Sequence, residues 1–131
     1  MSFADAQQRV DAWVSQYEEG YFHPLTNIAR LTEEVGELAR EVNHRFGQKT
    51  KKWDEAEGDL AMEMADILFV LICMANREGI DLQAEFDRMM AKVETRDRDR
   101  WTKKGGRADR RAGGQADRRS VDQADGWADD R

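Results

Sequence analysis

Carboxylate side chains recur at helical spacing in two separate stretches of the sequence. The first stretch, residues 33–37, reads EEVGE, and the second, residues 63–66, reads EMAD. Because residues three or four apart share one face of a helix, each stretch would present a pair of carboxylates on one side of its helix. Two such pairs facing each other would gather four oxygen ligands, and a divalent cation would relieve their mutual repulsion. The pattern therefore predicts a metal site between two helices.

The candidate ligands are Glu34, Glu37, Glu63 and Asp66. Carboxylate oxygens alone favour Mg²⁺, with Mn²⁺ as a substitute, over zinc. Glu63 and Asp66 are the more informative pair, because they lie among apolar residues on a helix that offers no Lys or Arg nearby. A buried carboxylate needs a partner. Taken alone, the 33–37 stretch would also fit an ordinary solvated helix face.

A di-iron carboxylate centre is a competing interpretation of the same glutamates. Such a centre needs two Glu-x-x-His pairs together with two further Glu. Glu41 and His44 have this spacing, but the only other histidine, His23, lies before the predicted helix. The sequence therefore disfavours a di-iron centre, and His44 is expected to be a polar residue near a helix end.

The elements that would position these carboxylates are helices. Apolar residues at helical spacing, with capping residues and glycines at the ends, predict four helices. Their expected bounds are residues 3–19, 24–46, 54–77 and 81–98. The third helix is apolar nearly all round from residue 67 to 75, which indicates a central, buried helix. Short loops between the helices favour an all-α, four-helix antiparallel bundle.

The composition changes after Trp101. Residues 102–131 are rich in Gly, Arg and Asp, and the motif at 105–111 returns in similar form at 113–119. Such a segment buries too little apolar surface to offset its conformational entropy. The sequence therefore predicts a helical domain over residues 1–101 and a disordered C-terminal tail over 102–131.

Charge and cysteine content restrict the function classes. The net charge is −6 and the pI is near 5.0, which argues against a dedicated nucleic-acid binder. No apolar stretch approaches the length of a membrane span, so no membrane partner is expected. The single cysteine, Cys73, lies in an apolar run and cannot form an intramolecular disulfide. These features favour a soluble protein in the reducing cytoplasm.

The segments 21–44 and 63–70 together resemble the MazG family of all-α nucleoside triphosphate pyrophosphohydrolases. The shared pattern is Glu-Glu-x-x-Glu followed, after a spacer, by Glu-x-x-Asp. The resemblance extends over about residues 5–101 and is closest to the short, single-domain members. It implies cleavage of an NTP or dNTP between the α and β phosphates, which yields the monophosphate and pyrophosphate. It also implies Mg²⁺ ligation by Glu34, Glu37, Glu63 and Asp66.

The resemblance also implies roles for residues around the metal. Glu33 matches the first Glu of the motif and is expected to belong to the water network. Glu37 is expected to be both a metal ligand and the activator of the attacking water. Lys92 and Arg96 match a Lys-x-x-x-Arg element that contacts phosphates in the family, although a basic helix end that complements the helix dipole would look similar.

A basic loop and two tryptophans suggest further contacts to the substrate. Lys52 lies in a basic loop that could clamp phosphates, and Trp101 or Trp53 could stack on a base. Trp13 is instead expected in the core or at a subunit contact.

A small core predicts that the protein associates with itself. About 101 ordered residues bury limited apolar surface, and Phe86, Met89 and Met90 add apolar surface to the fourth helix. We expect a homodimer or a dimer of dimers. The alternative function is a catalytically silent, helical oligomeric interaction protein, but the intact acidic motifs favour the enzyme.

Overall fold

The computed structural model describes residues 1–55 and 57–105 of the 131-residue chain. Apart from residues 102–105, the predicted disordered tail lies outside the described residues. The chain divides into two compact units, Met1–Lys92 and Val93–Arg131. In the second unit, the described residues are the end of the last helix and the turns that follow it.

Four helices make up the regular structure of the described residues, which contain no strand. They are α1 (Phe3–Val14), α2 (Pro24–Phe46), α3 (Leu60–Glu78) and α4 (Leu82–Arg96). The all-α, four-helix class predicted from the sequence is confirmed.

Capping residues set several of the helix ends. Ser2 begins α1 with a reciprocal capping box to Asp5. Pro24 occupies the first turn of α2, where its missing N–H costs nothing. Asp59 begins α3, since its Oδ1 accepts hydrogen bonds from the backbone N–H groups of the first turn at 3.0 and 3.2 Å. Gly79 ends α3 at φ 67°, a left-handed conformation that favours glycine.

Two predicted helix ends were wrong by more than two residues, whereas the other ends agree to within two. Helix α1 ends at Val14 rather than at residue 19, because residues 15–20 form tight turns, such as Gly20 N–H to Tyr17 O at 3.3 Å. Helix α3 begins at Leu60 rather than at residue 54, because the acidic loop before it leads to Asp59, which is the true cap.

Helix α3 is the centre of the first unit and packs against both α1 and α2. Its buried apolar residues are Val70, Ile72, Cys73 and Ala75. Burial raises the pKa of the Cys73 thiol above its usual value. The prediction of a central, buried third helix is therefore confirmed.

A polar network ties α1 to the C-terminal half of α3. The Gln7 side chain donates to Asn76 Oδ1 at 2.9 Å, and Asn76 Nδ2 donates to the Tyr21 hydroxyl at 2.9 Å. Tyr21 in turn donates to Asp11 Oδ1 at 2.7 Å. Burial, together with this bond to Asp11, raises the pKa of Tyr21 to about 12. The network fixes the position of α1 on α3.

Apolar side chains of α3 and of the first half of α4 line a groove of about 600 Å³. Four of them, Leu68, Leu71, Phe86 and Met89, are each 39–50% exposed. Among the described residues, no helix is long and apolar enough to cross a membrane.

Candidate active site

Three carboxylates from two helices meet in the first unit. Glu34 and Glu37 come from α2 and Glu63 comes from the first turn of α3. One oxygen of each lies within 4.8 Å of the others. Glu34 and Glu63 are half-buried, whereas Glu37 is exposed. The packing of α2 on α3 thus brings together three of the four predicted ligands.

Asp66, the fourth predicted ligand, is half-buried one turn further along α3 and lies outside the 4.8 Å group. Its charge nevertheless acts on Glu63, so it borders the same site. Glu33 is exposed on α2 and also lies outside the group.

Glu63 is the most perturbed carboxyl group of the site. Loss of hydration raises its pKa above the usual value, and the negative charges of Glu37, Asp66, Glu34 and Glu41 raise it further. Its Oε2 atom is buried and receives no hydrogen bond from the described residues. A buried acceptor among like charges is unfavourable. The donor set, which consists of carboxylate oxygens, fits a hard divalent cation.

Gly36 lies between the two α2 ligands. A Cβ at this position would meet no described atom within 4 Å, so packing within this chain does not require it.

The predicted substrate contacts lie on exposed surface. In the first unit, the Lys52 side chain projects from the loop after α2, and Lys92 is exposed on α4. In the second unit, Arg96 donates to Asp97 at 3.2 and 3.0 Å, and these bonds lower the pKa of the Asp97 carboxyl. Trp101 is 70% exposed, with the Arg100 guanidinium 5.0 Å from its ring centroid.

Sequence reasoning missed the burial of His44, whose side chain is only 5% exposed. Its Nδ1 lies 3.8 Å from Glu41 Oε1, its Nε2 lies 3.7 Å from Glu55 Oε2, and neither nitrogen has a hydrogen-bond partner among the described residues. Glu55 also accepts a bond from Arg40 at 2.8 Å. The imidazole thus lies between α2 and the loop that follows it. The Glu-x-x-His spacing was the only sequence signal for this placement.

Asn27 is the second residue that sequence reasoning missed. It is 1% exposed, the most completely buried polar residue among those described. Trp13, by contrast, was expected in the core or at a subunit contact, but it is 54% exposed within this chain and is therefore not a core residue.

The acidic site between α2 and α3 is compatible with a divalent cation. Comparison with known proteins gives the family. Residues 22–101 match the MazG nucleotide pyrophosphohydrolase domain, and the chain belongs to this family. The resemblance seen in the sequence is therefore confirmed.

Solved and curated relatives agree with this assignment. The chain is 55% identical over 100 residues to YpjD of Bacillus subtilis (strain 168), a protein of uncharacterised activity, and the match covers 76% of this chain and 90% of YpjD. A crystal structure of YpjD from Bacillus subtilis, described as a candidate pyrophosphatase, matches at 51% identity with a TM-score of 0.64, covering 70% of this chain and 94% of that one. The crystal structure of a Bacillus-conserved MazG protein, a nucleotide pyrophosphohydrolase, matches at 47% identity with a TM-score of 0.64. The match covers 76% of this chain and 96% of that one.

Proposed function

We propose that this protein hydrolyses nucleoside triphosphates, NTP or dNTP, between the α and β phosphates to give the monophosphate and pyrophosphate. The observation that carries the proposal is the group of Glu34, Glu37 and Glu63 oxygens within 4.8 Å. The buried, unpaired Glu63 Oε2 supports it. Membership of the MazG nucleotide pyrophosphohydrolase family supports the same reaction class.

The proposed cofactor is Mg²⁺, with Mn²⁺ as a substitute. Glu34, Glu37, Glu63 and Asp66 would hold it. When bound, the cation neutralises charge on the phosphate oxygens. The half-buried Glu34 and Glu63 would hold it from two helices that pack against each other.

Glu37 is the proposed activator of the attacking water. It is the one exposed member of the three-carboxylate group, so solvent reaches it directly. A carboxylate there accepts a hydrogen bond from water and orients it for attack. Glu33, exposed on the same helix, is proposed to complete the water network.

Basic and aromatic side chains are the proposed contacts to the rest of the substrate. Lys92, Arg96 and Lys52 would bind phosphate oxygens, and Trp101 would stack on the base. Arg96 donates to the Asp97 carboxylate. If Arg96 bound a phosphate, the phosphate would replace this carboxylate as its anionic partner.

A panel of the common NTPs and dNTPs tests the proposal most simply. We expect Mg²⁺-dependent turnover of at least one member, measured by a coupled pyrophosphate assay. Pyrophosphate release from no member of the panel would refute the proposed activity. The catalytically silent interaction protein would then be the better account of the chain.

We propose that the protein acts as a cytoplasmic homodimer or dimer of dimers. The apolar groove, about 600 Å³ in volume, exposes several large apolar side chains side by side, and such a patch can mark an interaction surface. We propose that a second copy of this chain packs against this groove.

We expect light scattering at micromolar concentration to give at least twice the mass of one chain. Leu71→Glu, which places a charge in the groove, is expected to shift the mass toward that of one chain. Leu25→Glu is the matched control, because Leu25 is exposed outside the groove and its substitution should leave the mass unchanged. A single-chain mass for the wild type would contradict self-association.

A further inference from the structure

The loop that follows α2 is docked on that helix through one glutamate. Glu55 Oε1 accepts a hydrogen bond from the Arg40 guanidinium at 2.8 Å, and Glu55 Oε2 lies 3.7 Å from Nε2 of the buried His44. The Glu55 side chain is only 20% exposed. Two residues of α2 thus hold the loop against the C-terminal half of the helix.

The same glutamate holds the backbone of Lys52. The Lys52 N–H donates to Glu55 Oε2 at 3.0 Å, and the Glu55 N–H donates back to the Lys52 carbonyl at 3.1 Å. The bond from the Lys52 N–H, together with Arg40, lowers the pKa of the Glu55 carboxyl, so this group is an anion at neutral pH. Both of its oxygens accept hydrogen bonds, and the Lys52 backbone is therefore fixed relative to α2.

The residues that dock the loop share a face of α2 with Glu37. Arg40 follows Glu37 by three residues and His44 follows it by seven, and both spacings keep side chains on one side of a helix. At 1.5 Å per residue, Arg40 is about 4.5 Å along the helix axis from Glu37. The loop is therefore docked about one turn from the exposed member of the carboxylate group.

Docking of the loop matters for a lysine in particular. A lysine carries a compact charge on a flexible stem, so its contribution to phosphate binding depends on where its backbone is held. On an undocked loop, Lys52 would have to be ordered when a substrate binds, and this ordering would weaken binding. Glu55 removes that cost in advance, because it already ties the Lys52 backbone to α2.

We propose that Glu55 is a positioning residue, which holds Lys52 where its ammonium group binds the phosphates of the substrate. The inference rests on the proposed triphosphate hydrolysis and on Lys52 as a phosphate contact. Glu55 is itself negatively charged and binds no phosphate. It acts through Lys52, with Arg40 and His44 as its anchors on α2.

Lys52→Met and Glu55→Ala should each raise the KM for the best triphosphate by about tenfold. Neither residue touches the reacting atoms, so kcat should stay close to the wild-type value. The double variant should be no worse than either single variant, because both substitutions remove the same contact. Arg40→Met, which loosens the docking from the α2 side, should also raise KM and keeps the test decisive if Glu55→Ala fails to fold. Glu57→Ala is the matched control, since it removes an exposed carboxylate from the same loop, and its KM should be unchanged.

Limited proteolysis with trypsin measures the docking without any substrate. The loop offers three cleavage sites, Lys49, Lys51 and Lys52. Because cleavage requires an opened loop, Glu55→Ala and Arg40→Met should be cut there about tenfold faster than the wild type. Glu57→Ala should be cut at the wild-type rate. Lys52→Met keeps the backbone bonds, so it should raise KM without faster cleavage at the two remaining sites.

An unchanged KM in Lys52→Met or in Glu55→Ala would overturn the proposal while leaving triphosphate hydrolysis intact. Additive effects in the double variant, or wild-type cleavage of Glu55→Ala, would overturn it as well. If no triphosphate is hydrolysed, the proposed function fails, and calorimetric titration with inorganic triphosphate and Mg²⁺ decides the role of Glu55 separately. Binding that is weakened equally by Lys52→Met and Glu55→Ala would support the proposal. Wild-type binding in either variant, or no binding by the wild type, would overturn it.

Discussion

Glu63→Gln is expected to abolish turnover while the helical fold stays intact. The substitution keeps the shape of the side chain but removes one charge from the site, so the cation is held less tightly. Because a bound cation contributes several kcal/mol to charge stabilisation and each 1.4 kcal/mol is tenfold in rate, kcat/KM should fall on the order of a hundredfold or more. Pyrophosphate release at fixed, low Mg²⁺ measures the loss.

The same substitution should stabilise the metal-free protein at neutral pH. The pKa of Glu63 is raised in the folded state, so the folded chain holds this proton more tightly than the unfolded chain does. Its ionisation therefore removes stability as the pH rises above the ordinary value of 4.5. Glu63→Gln cannot ionise, so its Tm should exceed that of the wild type at pH 7 in EDTA. The difference between the two Tm values should shrink as the pH falls below 4.5.

Glu94→Gln is the matched control for both measurements. It makes the same change at an exposed helical residue of α4. Activity and the Tm of the metal-free protein should be close to those of the wild type. If Glu63→Gln instead kept the wild-type rate at low Mg²⁺, Glu63 would not be a metal ligand.

Removal of divalent cations is the second change with a large expected effect. Excess EDTA should reduce turnover to background, and added Mg²⁺ or Mn²⁺ should restore it. The restored cation should also raise the Tm of the wild type, because a ligand that binds only the folded state stabilises it. This shift should be smaller in Glu63→Gln. Full activity in EDTA would show that the carboxylates act without a metal.

The fold was predictable where local signals were strong. Pro24 and Gly47 gave the ends of α2, and the apolar run of α3 gave its burial. The start of α3 was not predictable, because the acidic residues after Trp53 resemble a helix start and only the structure identifies Asp59 as the cap.

The grouping of the carboxylates was predictable, because their spacing is a helical repeat on two neighbouring helices. The burial of other polar residues on the same helix was not predictable. Asn27 and His44 are polar residues whose burial depends on which parts of the chain pack against them. Asn27 has no local sequence signal for its burial, and His44 has only the Glu-x-x-His spacing. Tertiary packing is not encoded in local spacing, so the burial of these two side chains became visible only in the structure.

The most direct test of the central claim is the product stoichiometry of the wild-type reaction, followed by phosphorus NMR. With Mg²⁺ and the best triphosphate of the panel, we predict one pyrophosphate and one nucleoside monophosphate for each triphosphate consumed, and neither product in EDTA. Formation of orthophosphate and nucleoside diphosphate would contradict cleavage between the α and β phosphates. Equal product formation in EDTA would contradict a metal site at Glu34, Glu37 and Glu63.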